Sequence, residues 1–227
     1  MTNKYQSPCI KSFILLIVLL LTYFVFQQNC QLIDQKCFLL LNTTLLQSEF
    51  GQWFWGILSH KNESWINVIV MLAINLWSII LIKRSNNKST ALVLYCWLSF
   101  QVVLLINILV FGKWLQINRN SPSMIISHPF KLSMLLNNPD IKDFSNNSFP
   151  AGHTLVCIYW GLFINLYAPK LIKILGWVVI SVLILPRMIT GAHWLSDVVF
   201  SVGLGWMYFN LSMWFANKYE TIKQRIY

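Results

Sequence analysis

Residues 186–197 read Pro-Arg-Met-Ile-Thr-Gly-Ala-His-Trp-Leu-Ser-Asp. His193 and Asp197 stand four positions apart, which on a helix stacks them on one face and lets the carboxylate accept from one imidazole nitrogen. Such a bond fixes the tautomer and leaves the other nitrogen basic, as a nucleophile or a general base requires. Arg187, just upstream, offers a planar cation whose fork fits two oxygens of a phosphate. The plainer alternative is a solitary histidine followed by an aspartate that caps a helix.

Two further segments bear on the same chemistry. In Ser148-Phe149-Pro150-Ala151-Gly152-His153-Thr154 the small residues Ala151 and Gly152 allow a ligand close to the backbone, and amides at a helix start favour an anion. His153 beside a bound phosphate is a candidate proton donor; otherwise the segment is a loop-to-helix turn with an interfacial histidine. In the stretch 112–122, Lys113 and Arg119 are candidates to complete an electropositive clamp, Arg119 being the better match to phosphate oxygens. Their alternative is contact with lipid headgroups.

The elements that must position these residues are set by composition. Of 227 residues 56% are hydrophobic and 11% charged, with mean hydropathy +0.58; about 25% charged is usual for a soluble domain. A soluble globular domain and a disordered chain are both excluded as starting points. Apolar runs at about 12–26, 65–82, 91–111, 153–168, 171–185 and 197–216 predict an all-α polytopic membrane protein, a bundle of six transmembrane helices with an outward-facing site. The first run is read as a retained span because no small-residue cleavage site follows it. Residues 50–58 are too short to span, and their tryptophans predict a helix lying in the interface. One membrane domain follows: 1–64 as first span and outer interfacial loop, 65–216 as the catalytic helical core, and 217–227 as a cytoplasmic tail.

Six spans divide the charges. Lys4, Lys11, Lys83, Arg84, Lys88, Lys170, Lys173, Lys218, Lys223 and Arg225 share one side with a single acid, Glu220. Lys36, Lys61, Lys113, Arg119, Lys131, Lys142 and Arg187 share the other with six acids and much longer loops. The positive-inside rule makes the termini cytoplasmic and turns the three segments outward. The net charge of +10 therefore reads as membrane orientation, and no nucleic-acid partner is expected. Cys30 and Cys37 share one outer segment, either as a short-loop disulfide or as two thiols. His60 and His128 are read as loop residues.

In order and location the three segments resemble the signature of the type-2 phosphatidic acid phosphatase superfamily: Lys-x6-Arg-Pro, Pro-Ser-Gly-His and Ser-Arg-x5-His-x3-Asp. Pro150-Ala151-Gly152-His153 matches the second, and Arg187-x5-His193-x3-Asp197 matches the last with full spacing. Ala151 stands where the family has Ser, Pro186 precedes Arg187 in place of Ser, and five residues separate Lys113 from Arg119. The resemblance implies that His193 attacks phosphorus and becomes a phosphohistidine, that Asp197 orients it, and that His153 protonates the leaving oxygen. It further implies that Arg187 and Arg119 hold phosphate oxygens with the amides near Gly152 and Ala151, Lys113 being a further phosphate ligand. No metal or other cofactor is implied.

Arg119-x-Ser121-Pro122, Ser148-Phe149-Pro150 and the run 186–194 are similar to the branch of lipid A 1-phosphate phosphotransferases and undecaprenyl diphosphate phosphatases, which take phosphate from undecaprenyl diphosphate, whereas Ala151-Gly152-His153-Thr154 is closer to the general lipid phosphatases. Implied partners are a lipid phosphate or polyprenyl diphosphate, lipid A as acceptor, and the bilayer of a bacterial inner membrane, with the site periplasmic. Two readings of other classes stand beside this one. The first is a non-catalytic transporter or assembly factor that kept the fold. The second is a metal site of His153, His193 and Asp197, which no spacing favours.

Overall fold

The computed structural model describes residues 6–25, 27–60, 119–167 and 169–226. The expected spans at 65–82 and 91–111, and Lys113, lie outside the described residues.

Regular structure among the described residues is helical, with one isolated antiparallel bridge between His60 and Ile141. Helix α1 covers Gln6–Val25 and α2 covers Gln27–Thr43. A 3-10 turn, Thr44–Leu46, leads to α3, Glu49–Leu58, whose first turn is capped by the Ser48 hydroxyl accepting from the Gly51 amide at 3.2 Å. Two single-turn helices follow, α4 (Pro122–Ile125) and α5 (Leu132–Leu135). The remaining elements are α6 (Gly152–Tyr167), α7 (Lys170–Ile189) and α8 (Leu195–Ile226).

Helices α1, α6, α7 and α8 coincide with four of the apolar runs, and α3 with the interfacial segment. Lys170–Ile189 and Leu195–Phe215 are long and apolar enough to cross a bilayer; Ile10–Thr22 is a shorter apolar stretch of α1. Leu171, Ile172, Leu175, Val178 and Val179 line an exposed face of α7, which acyl chains solvate better than water. Helix α8 is roughly 48 Å long at 1.5 Å per residue, more than a hydrocarbon core of about 30 Å, and so extends beyond it.

α2 corrects the sequence reading, which placed 27–64 in an outer loop. Its polar and apolar residues are mixed, so no apolar run marks it. Its buried or half-buried positions nonetheless fall at Cys30, Asp34, Gln35, Cys37, Phe38, Leu41 and Asn42, which share one side of the helix. Cys30 and Cys37 are free thiols. On one helix, seven residues apart, they stand about 10 Å from each other along the axis, beyond the reach of a disulfide.

The core joins α1, α6 and α8 through Leu16, Leu155, Tyr159, Phe200, Leu204 and Phe209. Close approach of α8 to α6 depends on Gly205, where a Cβ would stand 3.1 Å from the Leu155 carbonyl oxygen. A second cluster of Leu45, Leu132, Ile141 and Ile189 packs the segment after α2 and the 131–141 region onto the end of α7. α2, the C-terminal end of α7 and the N-terminal end of α8 thus meet at the described parts of the three segments that carry the candidate chemistry.

Candidate active site

Arg187 lies in the last turn of α7 and His193 just before α8, so the turn between them sets their relation. It is a Schellman motif. Gly191 sits at φ +84°, its amide donates to the Met188 carbonyl at 3.2 Å, and the Ala192 amide donates to the Arg187 carbonyl at 2.9 Å. The His193 amide reaches the same Arg187 carbonyl at 3.0 Å. Only glycine fits at 191, because a Cβ there would meet the Phe38 ring at 2.8 Å and Ser123 at 2.9 Å as well as a left-handed backbone.

His193 is 7% exposed, and its Nδ1 is 2.6 Å from the Ser148 carbonyl oxygen. A carbonyl only accepts, so Nδ1 carries the proton and Nε2 carries the lone pair. Burial is the main cause that pushes the imidazole down to about 3; Lys142, Arg187 and His153 push the same way, against the Ser148 bond, which favours the charged ring. The ring is neutral at physiological pH. Arg187, 7% exposed, donates from Nη1 to the Ser59 carbonyl at 3.2 Å, and the Lys142 amide donates to that same carbonyl at 2.8 Å. The Thr190 hydroxyl holds the Lys142 carbonyl at 3.1 Å. Lys142 is thereby fixed beside Arg187 by both halves of its backbone.

Asp197 departs from the geometry that its spacing predicted. Its Oδ2 accepts from the Trp194 amide at 2.9 Å, the returning half of a capping box at the start of α8, and its Oδ1 accepts from Arg119 Nη1. The four-residue spacing allows a His193–Asp197 bond without requiring one; here the Ser148 carbonyl occupies Nδ1 and a guanidinium holds the carboxylate. The capping alternative describes what Asp197 does.

Arg119 lies at the centre of a second network. Besides Asp197, Nη1 donates to the Ser196 hydroxyl at 2.8 Å, and Nη2 donates to Asp34 Oδ2 at 2.7 Å. Its guanidinium carbon stands 5.4 Å from the centroid of the Trp194 ring, whose indole N–H donates to the Asn120 carbonyl at 2.9 Å. Asp34, 2% exposed, also accepts from the Ser196 amide at 2.8 Å and the Ser196 hydroxyl at 2.5 Å. His153, on the first turn of α6, has Nε2 3.2 Å from the Leu183 carbonyl oxygen of α7. Ala151 is buried, whereas Gly152 is exposed with open space where a Cβ would be.

Arg119, Asp197 and Trp194 are therefore drawn together, and so are His193, Arg187 and Lys142. His153, His193 and Asp197 are turned to different partners, and among the described residues no three His, Cys, Asp or Glu side chains are grouped to hold an ion. Sequence reasoning missed Asp34, Ser196 and Asn42. The Asn42 amide donates to the Phe130 and Ile189 carbonyls, both at 3.0 Å, and accepts from the Phe130 amide at 2.8 Å. The available signal was an acid and an amide within the buried stripe of α2, where unpaired polar groups are costly.

With this geometry in view, the chain can be set beside known proteins. It is 24% identical over 187 residues to a lipid A 1-diphosphate synthase of Escherichia coli (strain K12), covering 77% of this chain and 75% of the relative. Its fold matches the crystal structure of a transmembrane PAP2 type phosphatidylglycerolphosphate phosphatase from Bacillus subtilis with a TM-score of 0.62. That match has 18% identity and covers 92% of this chain and 96% of the other. The PAP2 superfamily model matches residues 53–220, a range that contains all three motif segments. The chain belongs to the PAP2 superfamily and is a metal-independent lipid phosphatase or lipid phosphotransferase.

Proposed function

We propose that this membrane enzyme removes the terminal phosphate of a lipid-linked diphosphate, undecaprenyl diphosphate, through a phosphohistidine on His193. The observation that carries the reading is the commitment of His193 Nδ1 to the Ser148 carbonyl, which leaves Nε2 as the basic nitrogen next to Arg187 and Lys142. In the first step Nε2 attacks the terminal phosphorus, the bond to the bridging oxygen breaks, and His153 donates a proton to the departing lipid monophosphate. In the second, an acceptor oxygen attacks the phosphohistidine, His153 takes back the acceptor's proton, and Nε2 is released with its lone pair.

Arg187 and Arg119 offset the charge on the equatorial oxygens, with Lys113 as a further ligand and the Ala151 and Gly152 amides at the start of α6. Asp197 acts on this site through Arg119. The arrangement proposed around it is six spans with cytoplasmic termini in a bacterial inner membrane and the site facing the periplasm, as the cation distribution favours. Transfer to lipid A is the second reading, favoured by the likeness to the E. coli relative, whose name describes such a product. Water and lipid A share the same phosphoenzyme.

The test uses purified protein in detergent with chelator present and undecaprenyl diphosphate labelled in its terminal phosphate. Release of label, an acid-labile labelled protein, and loss of both in His193→Ala are expected. Turnover that survives His193→Ala sinks the nucleophile assignment. Adding lipid A separates the acceptors, since label appears either in lipid A or only as free phosphate.

A further inference from the structure

The Asp34–Arg119 pair lies partly outside the matched family region, because Asp34 on α2 precedes residue 53. All of Asp34's observed bonds end at the site. One goes to Arg119 and two go to Ser196, the neighbour of Asp197, across 85 and 162 positions of sequence. A carboxylate with 2% exposure is tolerated only when paired, so its location next to Arg119 is specific.

The guanidinium has two carboxylates on adjacent nitrogens, Asp197 on Nη1 and Asp34 on Nη2, and the Trp194 ring beside it. Asp197 and the Ser196 hydroxyl both take Nη1, and contacts at one corner leave a planar group free to swing about it. A second carboxylate on Nη2 fixes the plane. The same carboxylate also subtracts a charge, because two anions against one cation leave that network with net −1.

We infer that Asp34 is the positioning residue of Arg119: it aims the guanidinium at the reacting phosphate while reducing its pull on phosphate in the ground state. The inference rests on the phosphate-binding role proposed above for Arg119. It has a signature that a merely structural carboxylate lacks. Removing the charge without changing the shape tightens binding of an anionic substrate, yet loosens the geometry on which the transition state depends.

Asp34→Asn is therefore assayed with undecaprenyl diphosphate in detergent, alongside inhibition by inorganic phosphate. We expect kcat to fall about 10-fold while KM and the inhibition constant for phosphate fall about 3-fold. In Asp34→Glu, which restores the charge but displaces the carboxylate, KM returns to the wild-type value and kcat stays low. In an Arg119→Ala background, Asp34→Asn changes kcat by less than about 2-fold, because its effect passes through the missing guanidinium.

The inference is overturned by a KM that rises in Asp34→Asn, by a KM that stays low in Asp34→Glu, or by an equal loss of kcat with and without Arg119. Failure of Asp34→Asn to yield a monodisperse folded protein also overturns it, by showing a fold role. Full turnover in His193→Ala is a separate failure, of the site assignment itself, and is read in the same assay.

Discussion

From Arg187 to Asp197 the site is held by main-chain hydrogen bonds that close within six residues, whereas from Asp34 and Asn42 to the segment 119–148 it is held by side chains reaching across the fold. In the first region a glycine turn sets where Arg187 and His193 stand. In the second, Asn42 bonds to Ile189 across 147 positions and Ser123 to Gly191 across 68. The contrast teaches that Arg187 and His193 are placed by local backbone geometry, while Arg119 and the end of α7 are tied down by Asp34 and Asn42, which no motif segment contains.

The comparison breaks most readily at Arg187. Replacing it with Ala lowers turnover of the labelled diphosphate about 1,000-fold, and Arg187→Lys restores only part of this, since a point charge lacks the fork. An effect smaller than 10-fold in Arg187→Ala moves the phosphate cation elsewhere, with Lys142 the first alternative. Gly191→Val tests the turn itself. A branched side chain in a left-handed conformation, against Phe38 and Ser123, costs about 3 kcal/mol, read as an earlier thermal transition in detergent.

The long-range region should respond differently. Asn42→Leu leaves the Phe130 amide and the Phe130 and Ile189 carbonyls without their partner, at a cost of about 2 kcal/mol in stability. The kcat of the protein that remains folded stays within about 2-fold of wild type. A larger fall in kcat at unchanged stability would erase the distinction between the regions.

The smallest effect, taken per single unit step, is that of pH. His193 titrates near 3 when folded and near its ordinary 6.5 when unfolded, so the unfolded chain binds the extra proton between those values. Its contribution to stability is full above pH 6.5 and is lost as pH falls toward 3, by less than ~1.4 kcal/mol per unit. His193→Gln flattens that slope. Over the same window the nucleophile stays unprotonated, so protonation of His193 imposes no acid limb on the initial rate between pH 7 and 5.

The same contrast explains how far the sequence could be read. Helices α6, α7 and α8 follow from apolar runs, and α3 from a short aromatic one, because these patterns report burial over neighbouring residues. Arg187 and His193 were legible because they fall within one short run, whereas the part of Gly191 in the turn between them appears only in the fold. α2 was not, since its mean composition resembles a loop and its meaning lies in the partners of Asp34 and Asn42. Asp197 shows the limit from the other direction: the spacing allowed it to meet His193, but a carbonyl from Ser148, 45 positions away, takes the imidazole and a guanidinium from 119 takes the carboxylate.

The Ser148 carbonyl has one more consequence. Every residue type presents the same oxygen at that position, so no single codon change deletes the group that sets the imidazole tautomer. The hereditary weak points of the proton arrangement lie instead in whatever steers the main chain at 148, such as the Ser148 amide bond to the Arg119 carbonyl at 2.8 Å. Ser148 is itself fully buried, so a small side chain is needed at 148 for packing, while the polarity of the nucleophile is set by the main chain alone.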